Sequence, residues 1–220
     1  MERFFELLWE ALPVLSSGAL LTLKLTVITL PFSVVLGLVS CLLGMNKYFK
    51  YISYVYIALI RGTPILVQVF FIYFGVTQFL NIRMTAYVAG VISLSLNAGA
   101  YLSEIFRGGI QAVNHGQMEA ARSLGMTYAT SMQKVILPQA FKIVIPSVVN
   151  QFIITLKDTS IISCIGLMEL TMQGKQIIAR TYQSFNIWLM VGVYYFVMCY
   201  VLSKISQYIE RRLSVGKGRS

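Results

Sequence analysis

The amino-acid sequence predicts an all-α integral membrane protein of five transmembrane helices. Composition, the length of its charge-free windows and the placement of its cations lead to that fold. Of the 220 residues, 57% are hydrophobic and only 12% charged, and the mean hydropathy of +0.72 lies beyond the range of ordinary soluble domains. A bilayer core takes about 20 consecutive apolar residues per helix. Windows of that length cover 25–44, 51–82 (broken only by Arg61), 84–103, 135–156 (broken only by Lys142) and 181–203. No internal repeat is visible, and an odd number of spans disfavours a two-fold repeat within one chain.

With the N-terminus outside, ten cations fall in segments on the inner side: Lys47, Lys50, Arg107, Arg122, Lys134, Lys204, Arg211, Arg212, Lys217 and Arg219. The outer segments receive five, Arg3, Arg83, Lys157, Lys175 and Arg180. The positive-inside bias therefore favours N-out, C-in. It also accounts for the net charge of +10 without nucleic acid, because the cations are scattered between apolar runs and form no basic face. Ahead of the first span, Phe4, Phe5, Leu8, Ala11 and Leu12 recur at helical spacing. Residues 1–16 are therefore expected as a short helix lying in the membrane interface, and the absence of a basic leader argues against a cleaved signal peptide.

Cys41, Cys164 and Cys199 stand in apolar surroundings without Cys-x-x-Cys spacing. They are expected as buried thiols, neither disulfide-bonded nor metal-bound. The single histidine, His115, lies in a polar loop with no paired nucleophile and no His-Glu-x-x-His pattern, so neither metal nor catalysis is indicated. No Gly-x-x-x-x-Gly-Lys-Ser/Thr loop occurs either, so the chain cannot cradle a nucleoside triphosphate in that way.

The polar loop at 114–134, between the third and fourth spans, carries the helix formers Met118, Glu119, Ala120, Ala121, Arg122 and Leu124, then Gly125, then a second helical run from Thr127. Glycine lets a helix end in a left-handed turn, so two short helices meeting at a corner are expected. Ala120 and Ala121 present almost no side chain, Glu119 suits the positive end of a helix dipole, and Met118, Leu124 and Met126 offer adaptable apolar contact. Such an elbow fits a groove on another protein.

Glu119-Ala120-Ala121, then Gly125, then Val135-Ile136-Leu137-Pro138 resembles the signature of ABC-transporter permease subunits, with Val135 where the pattern usually has Ile. "RGTPILVQVFFIYFG" (Arg61 to Gly75), "NAGAYLSEIFRGGIQAV" (Asn97 to Val113) and "LKDTSIISCIG" (Leu156 to Gly166) are similar to the polar amino-acid uptake branch, over nearly the whole chain. The resemblance implies a type I importer permease fold filling 1–220 as one transmembrane domain, dimeric, in a bacterial or archaeal cytoplasmic membrane. It implies that 114–134 holds the coupling helix, with Met118, Glu119, Ala120, Ala121, Arg122, Leu124 and Gly125 engaging a separate ATPase. Two ATPase copies, a second permease chain (identical or a paralogue), an extracytoplasmic binding protein and a polar amino-acid substrate complete the set. ATP and Mg would belong to the ATPase, leaving no cofactor in this chain.

Charges within the apolar layer cost about 2.5–3.5 kcal/mol each on insertion scales, so each needs a reason. Lys24 and Lys142 would snorkel, although Pro138 and Pro146 around Lys142 suggest an irregular helix. Arg61 precedes Gly62-Thr63-Pro64, a combination that breaks or kinks a helix and frees carbonyls; Gln68 follows one turn later. Arg61 would either hold that break or act in transport. Asn97 and Glu104 share one helix face, and Arg107 follows Glu104 by three positions, so Glu104 would pair with Arg107 or face the path.

Span four contributes Asn150 and Gln151 and ends in Thr155-Leu156-Lys157-Asp158-Thr159-Ser160. An α-amino acid needs an anion for its ammonium and donors for its carboxylate on adjacent walls. Asp158 would serve the first, and Thr155, Thr159 or Lys157 the second; equally, Lys157 and Asp158 would be a solvated helix end. The apolar run after Ser160 is too short to span and would dip into the bundle. An ion-coupled secondary amino-acid carrier is the rival function, since it would also explain Arg61 and Glu104 inside the membrane.

Overall fold

The computed structural model describes residues 2–214, with side chains over 7–208. The described chain is helical throughout. Its elements are α1 (Glu2–Met45), α2 (Lys50–Arg61), α3 (Ile65–Leu80), α4 (Ala86–Gln111), α5 (His115–Ser123), α6 (Tyr128–Ile165), α7 (Leu170–Thr181) and α8 (Ser184–Ser214). Four stretches are long and apolar enough to cross a membrane alone: Leu7–Met45, Ala86–Gln111, Tyr128–Ile165 and Ser184–Tyr208. The expected second span is a pair, α2 and α3, bent by 105° between Arg61 and Ile65. Taken as one crossing, it brings the spans to five.

The expected separate helix over 1–16 is continuous with the first span, in one helix of 44 residues that passes through Pro13 and Pro31. At about 1.5 Å per residue this is roughly 66 Å, more than twice a hydrocarbon core of about 30 Å. Its first turns are covered by protein: Leu7, Ala11, Leu15 and Ala19 are buried against Leu170 of α7 and Ile187 and Val191 of α8. The side chains of Phe4, Phe5, Arg211 and Arg212, and the tail cations Lys217 and Arg219, lie outside the described residues.

The centre is the pairing of α1 with α4, with α6 also packed against α4, and Cys41, Leu102, Phe106 and Val144 join the three helices in one core. Small residues make that approach possible. A Cβ on Gly99 would sit 2.9 Å from Leu36 Cβ and 2.9 Å from the Tyr56 hydroxyl, and one on Gly37 would sit 2.7 Å from Leu102 Cβ. Gly90 is close in the same way, a Cβ there lying 3.0 Å from Ile162 Cγ2, and Ser93 is buried. One core joins Leu25, Val69, Ile72, Ala89 and Leu94 to Ile162 and Ile165. These last two belong to Thr159–Ile165, a 3-10 segment that closes α6, so the short apolar run does turn into the bundle. Two π-helical turns, Phe71–Val76 and Met132–Ile136, interrupt α3 and α6. The irregularity expected near Pro138 falls just before it, while Pro146 sits inside regular helix. Of the three free cysteines, expected as buried, only Cys41 is so; Cys164 is exposed and Cys199 half-buried, because an apolar stretch of sequence also includes positions that face outward.

The tightest helix contact is at Gly109 of α4, where a Cβ would lie 2.0 Å from Val144 Cγ1 on α6. Valine is stiff at χ1 in a helix and cannot swing away. Gly109→Ala is expected to destabilise the detergent-solubilised protein by about 1–3 kcal/mol. Adding Val144→Ala should return most of that loss in a thermal melt, and an unchanged melting point for Gly109→Ala alone would contradict the packing.

Candidate functional site

One set of polar groups gathers at the break between α2 and α3. Pro64 has no N–H, so the carbonyl of Ile60, four residues earlier, loses its helical partner. The side chain of Gln68 replaces it: Nε2 donates to Ile60 O at 2.7 Å and to Thr63 O and Oγ1, each at 3.0 Å. The Thr63 hydroxyl donates to Leu59 O at 2.8 Å and Gly62 N–H to Ala58 O at 2.9 Å, so the last carbonyls of α2 are satisfied one by one. Asn97 Nδ2 on α4 then donates to Gln68 Oε1 at 3.1 Å. Gln68 and Asn97 are both buried. Asn97, expected in a pocket, thus holds the side chain that holds the break.

Arg61, the last residue of α2, reaches Glu104 on α4 at 3.1 Å and lies 5.5 Å from the Tyr101 ring centroid. Glu104 also accepts from Arg107 on its own helix. The expected pairing of Glu104 with Arg107 is present, and Glu104 also pairs with the cation at the break. The three groups are half-exposed, the carboxylate least so. They border a cavity of about 510 Å³ shared with Lys50, Tyr51 and Tyr54.

At the other end of α6, Gln151 and Thr155 are buried, whereas Asn150 and Lys157 are exposed. The hydroxyls of this stretch bond back to the helix: Thr155 to Gln151 O at 2.9 Å, Thr159 to Leu156 O at 2.7 Å and Ser160 to Lys157 O at 2.7 Å. Each has thereby used its single donor hydrogen, whereas the Lys157 ammonium makes no hydrogen bond or ion pair among the described residues. Asp158 is half-buried, and its carboxylate makes no hydrogen bond or ion pair among the described residues. No hydrogen bond or ion pair among the described residues joins this group to the Arg61–Glu104 network.

Glu169 is fully buried, and no sequence pattern in the preceding section had marked it. It caps α7, accepting from the N–H groups of Thr171 at 2.9 Å and Met172 at 2.8 Å, and from the Tyr195 hydroxyl of α8 at 2.9 Å. Burial pushes its carboxyl up, and those donors partly offset the rise. The detectable signal is an acidic residue directly before a helical run; what hides it is that no helix is expected from the sequence over 170–181 and that its Tyr195 partner lies far along the chain. Nearby, Lys175 donates to Ser163 of the 3-10 segment at 3.0 Å.

The 114–134 loop folds into the expected corner. Asn114 caps α5 by accepting from Gly116 N–H at 2.8 Å. Gly125 turns the chain with φ +82, Met126 N–H bonds back to Ala121 O at 3.2 Å, and Thr127 caps the start of α6. Glu119, Ala120, Arg122 and Leu124 are exposed, Leu124 to 80%. Met118 and Ala121 turn the other way. Ala121 is buried, and Met118 packs on Val113, Ile136 and Ala140, so these two hold the elbow to the bundle.

Residues 7–215 match the family described as binding-protein-dependent transport system inner membrane component. The chain belongs to this family. The permease is 38% identical over 221 residues to the glutamine transport system permease protein GlnP of Escherichia coli K12, covering 98% of this chain and 100% of that one. It is 40% identical over 204 residues to the L-cystine transport system permease protein TcyB of Bacillus subtilis, covering 91% and 87%. A crystal structure of an amino acid ABC transporter with histidines superposes with TM-score 0.89 at 43% identity over 93% of the permease and 96% of that chain. The inward-facing MetNI methionine ABC transporter, at 18% identity and TM-score 0.78 over 92% and 97%, shares the fold. The permease therefore has the type I ABC importer fold and is a multi-pass inner-membrane component. Its family implies an ATPase and a substrate-binding protein as partners. The ion-coupled carrier reading is overturned, since the relatives are ABC permeases.

Replacing Gln68 with leucine keeps the bulk and removes the donor. Gln68→Leu is expected to cost about 1–3 kcal/mol, the penalty of an orphaned buried carbonyl. Combined with Asn97→Leu it should be clearly non-additive in thermal unfolding, because both residues serve one network; strict additivity would break the link between them.

Proposed function

We propose that the permease forms the membrane path of an ATP-driven importer for polar amino acids. In this reading it works beside a second permease chain, a copy or a paralogue, with the N-terminus outside and the C-terminus inside. The exposed elbow carries the proposal: a helix of nine residues, anchored on the bundle through Met118, turns Glu119, Ala120 and the following Leu124 to solvent. That face suits a cleft on a separate ATPase, one elbow to each of two copies, with ATP and Mg held by the ATPase. Closure of the two motors would draw the elbows together and rock the bundles between inward-facing and outward-facing states.

The substrate class rests on relatives named for glutamine, arginine and cystine transport and on the end of α6. An unpartnered, half-buried Asp158 suits an ammonium, and the free Lys157 beside it suits a carboxylate. Glu104 and Arg61, already paired with one another, are better suited to fixing the break on α4 than to taking a substrate. Asn150, exposed one position before buried Gln151, faces away from the core and is open to the path.

Two experiments test this in vesicles containing the permease, its ATPase and its binding protein. Gly125→Val forces a β-branched residue into a left-handed conformation. It should leave membrane insertion intact while hydrolysis no longer drives uptake, and wild-type coupling would count against the elbow. Asp158→Asn should lower uptake several-fold with assembly unchanged; wild-type kinetics would remove Asp158 from the site.

A further inference from the structure

Beside the elbow, α1, α4 and α6 leave a groove of about 570 Å³ whose thirteen lining side chains are apolar apart from the thiol of Cys41. It offers nothing to an amino acid. The lining on α6 runs from Leu137 to Phe152, about 22 Å at 1.5 Å per residue. One leaflet of hydrocarbon is about 15 Å deep, so the groove is long enough for a single acyl chain. Its walls reach the elbow side together, because α1 ends three residues after Leu42 and α4 one residue after Ile110.

Two cations lie close to these walls along the chain on that side. Lys134 precedes Leu137 by three positions, and Lys47 follows the end of α1 by two. Both are exposed, and neither has an ion pair or hydrogen bond among the described residues. Arg107 differs, being held by Glu104. Unpaired amines at the edge of a hydrocarbon groove match a phosphate. Two copies of the chain meeting groove to groove would instead bring four such amines together.

We infer that the groove holds one acyl chain of an anionic phospholipid from the leaflet on the elbow side, with its phosphate between Lys47 and Lys134. The assignment rests on the groove and its cations, and is independent of which way the chain crosses the membrane and of the substrate. Lys134 lies in the π-helical turn, Met132–Ile136, that joins the elbow to the long helix. A lipid seated there braces the junction through which any movement of the elbow must pass.

Phe141 lines the groove and is 64% exposed, so Phe141→Trp places a reporter in it. The full chain is reconstituted in nanodiscs containing phosphatidylglycerol or phosphatidylcholine with brominated acyl chains. Quenching of Trp9 and Trp188, measured on the parent chain, is subtracted. Brominated phosphatidylglycerol should quench the reporter several-fold more than brominated phosphatidylcholine, and Lys47→Gln with Lys134→Gln should abolish the difference. Equal quenching by the two lipids means boundary lipid only and overturns the inference. Absence of quenching by either means that protein fills the groove and also overturns it, as does a preference that survives loss of both lysines. Native mass spectrometry of the chain without the reporter gives a second readout: one phosphatidylglycerol retained per chain, lost in the double lysine variant.

Discussion

In hydrocarbon, a backbone carbonyl released from its helix must find a donor inside the protein, and the rest of this permease depends on how one such carbonyl is satisfied. The carbonyl is that of Ile60, orphaned by Pro64. Gln68 supplies the missing donor from one turn into the next helix, and Asn97 of α4 fixes the Gln68 amide in turn. The bend of 105° is thereby tied to the centre of the bundle. Without that tie, the end of α2 would carry unsatisfied polar groups into the apolar layer. With it, Arg61 is delivered to Glu104, and a charge that would be costly in lipid is paired across two helices.

Around that break the bundle is rigid for a different reason. Glycines at 37, 99 and 109 bring α1 and α6 so close to α4 that even a methyl group would meet a neighbouring side chain. Dispersion rather than the hydrophobic effect holds helices together in lipid, and close approach is what makes it strong. The elbow differs in kind. It is anchored through Met118 with Ala121 buried and turns on a left-handed Gly125, while its outer face is exposed among the described residues. A rigid bundle with a protruding, anchored elbow can receive force from another protein without deforming locally.

The features legible in the sequence were those written within a dozen or so neighbouring residues. Five apolar windows anticipated four helices long enough to cross a membrane and a bent pair that makes a fifth when taken as one crossing. Arg61-Gly62-Thr63-Pro64 announced the break, and Gly125 between two helical runs announced the corner. Glu104 with Arg107 followed from their spacing on one helix. What escaped depended on distant partners. Residues 1–16 looked like a separate interfacial helix because nothing local reveals that α7 and α8 cover Leu7, Ala11 and Leu15. Glu169 passed unnoticed because its value lies in Tyr195, 26 residues on. Met118 and Ala121 look like contact residues for a partner in the sequence, yet Met118 packs against Val113, Ile136 and Ala140 and Ala121 is buried.

The sequence by itself determined that this chain lives in a bilayer, how many apolar windows cross it, and where the backbone must break or turn. Those properties follow from hydrophobic length and from the stereochemistry of proline and glycine, which act over a few residues. Tertiary structure alone decided which polar groups are spent and which are left. It committed Asn97, Gln68 and Glu169 to holding the frame and turned Met118 inward, while Asp158 and Lys157 stayed uncommitted. A side chain's availability is set by neighbours that arrive from elsewhere in the chain, so periodicity can place a residue on a face without saying what that face will meet.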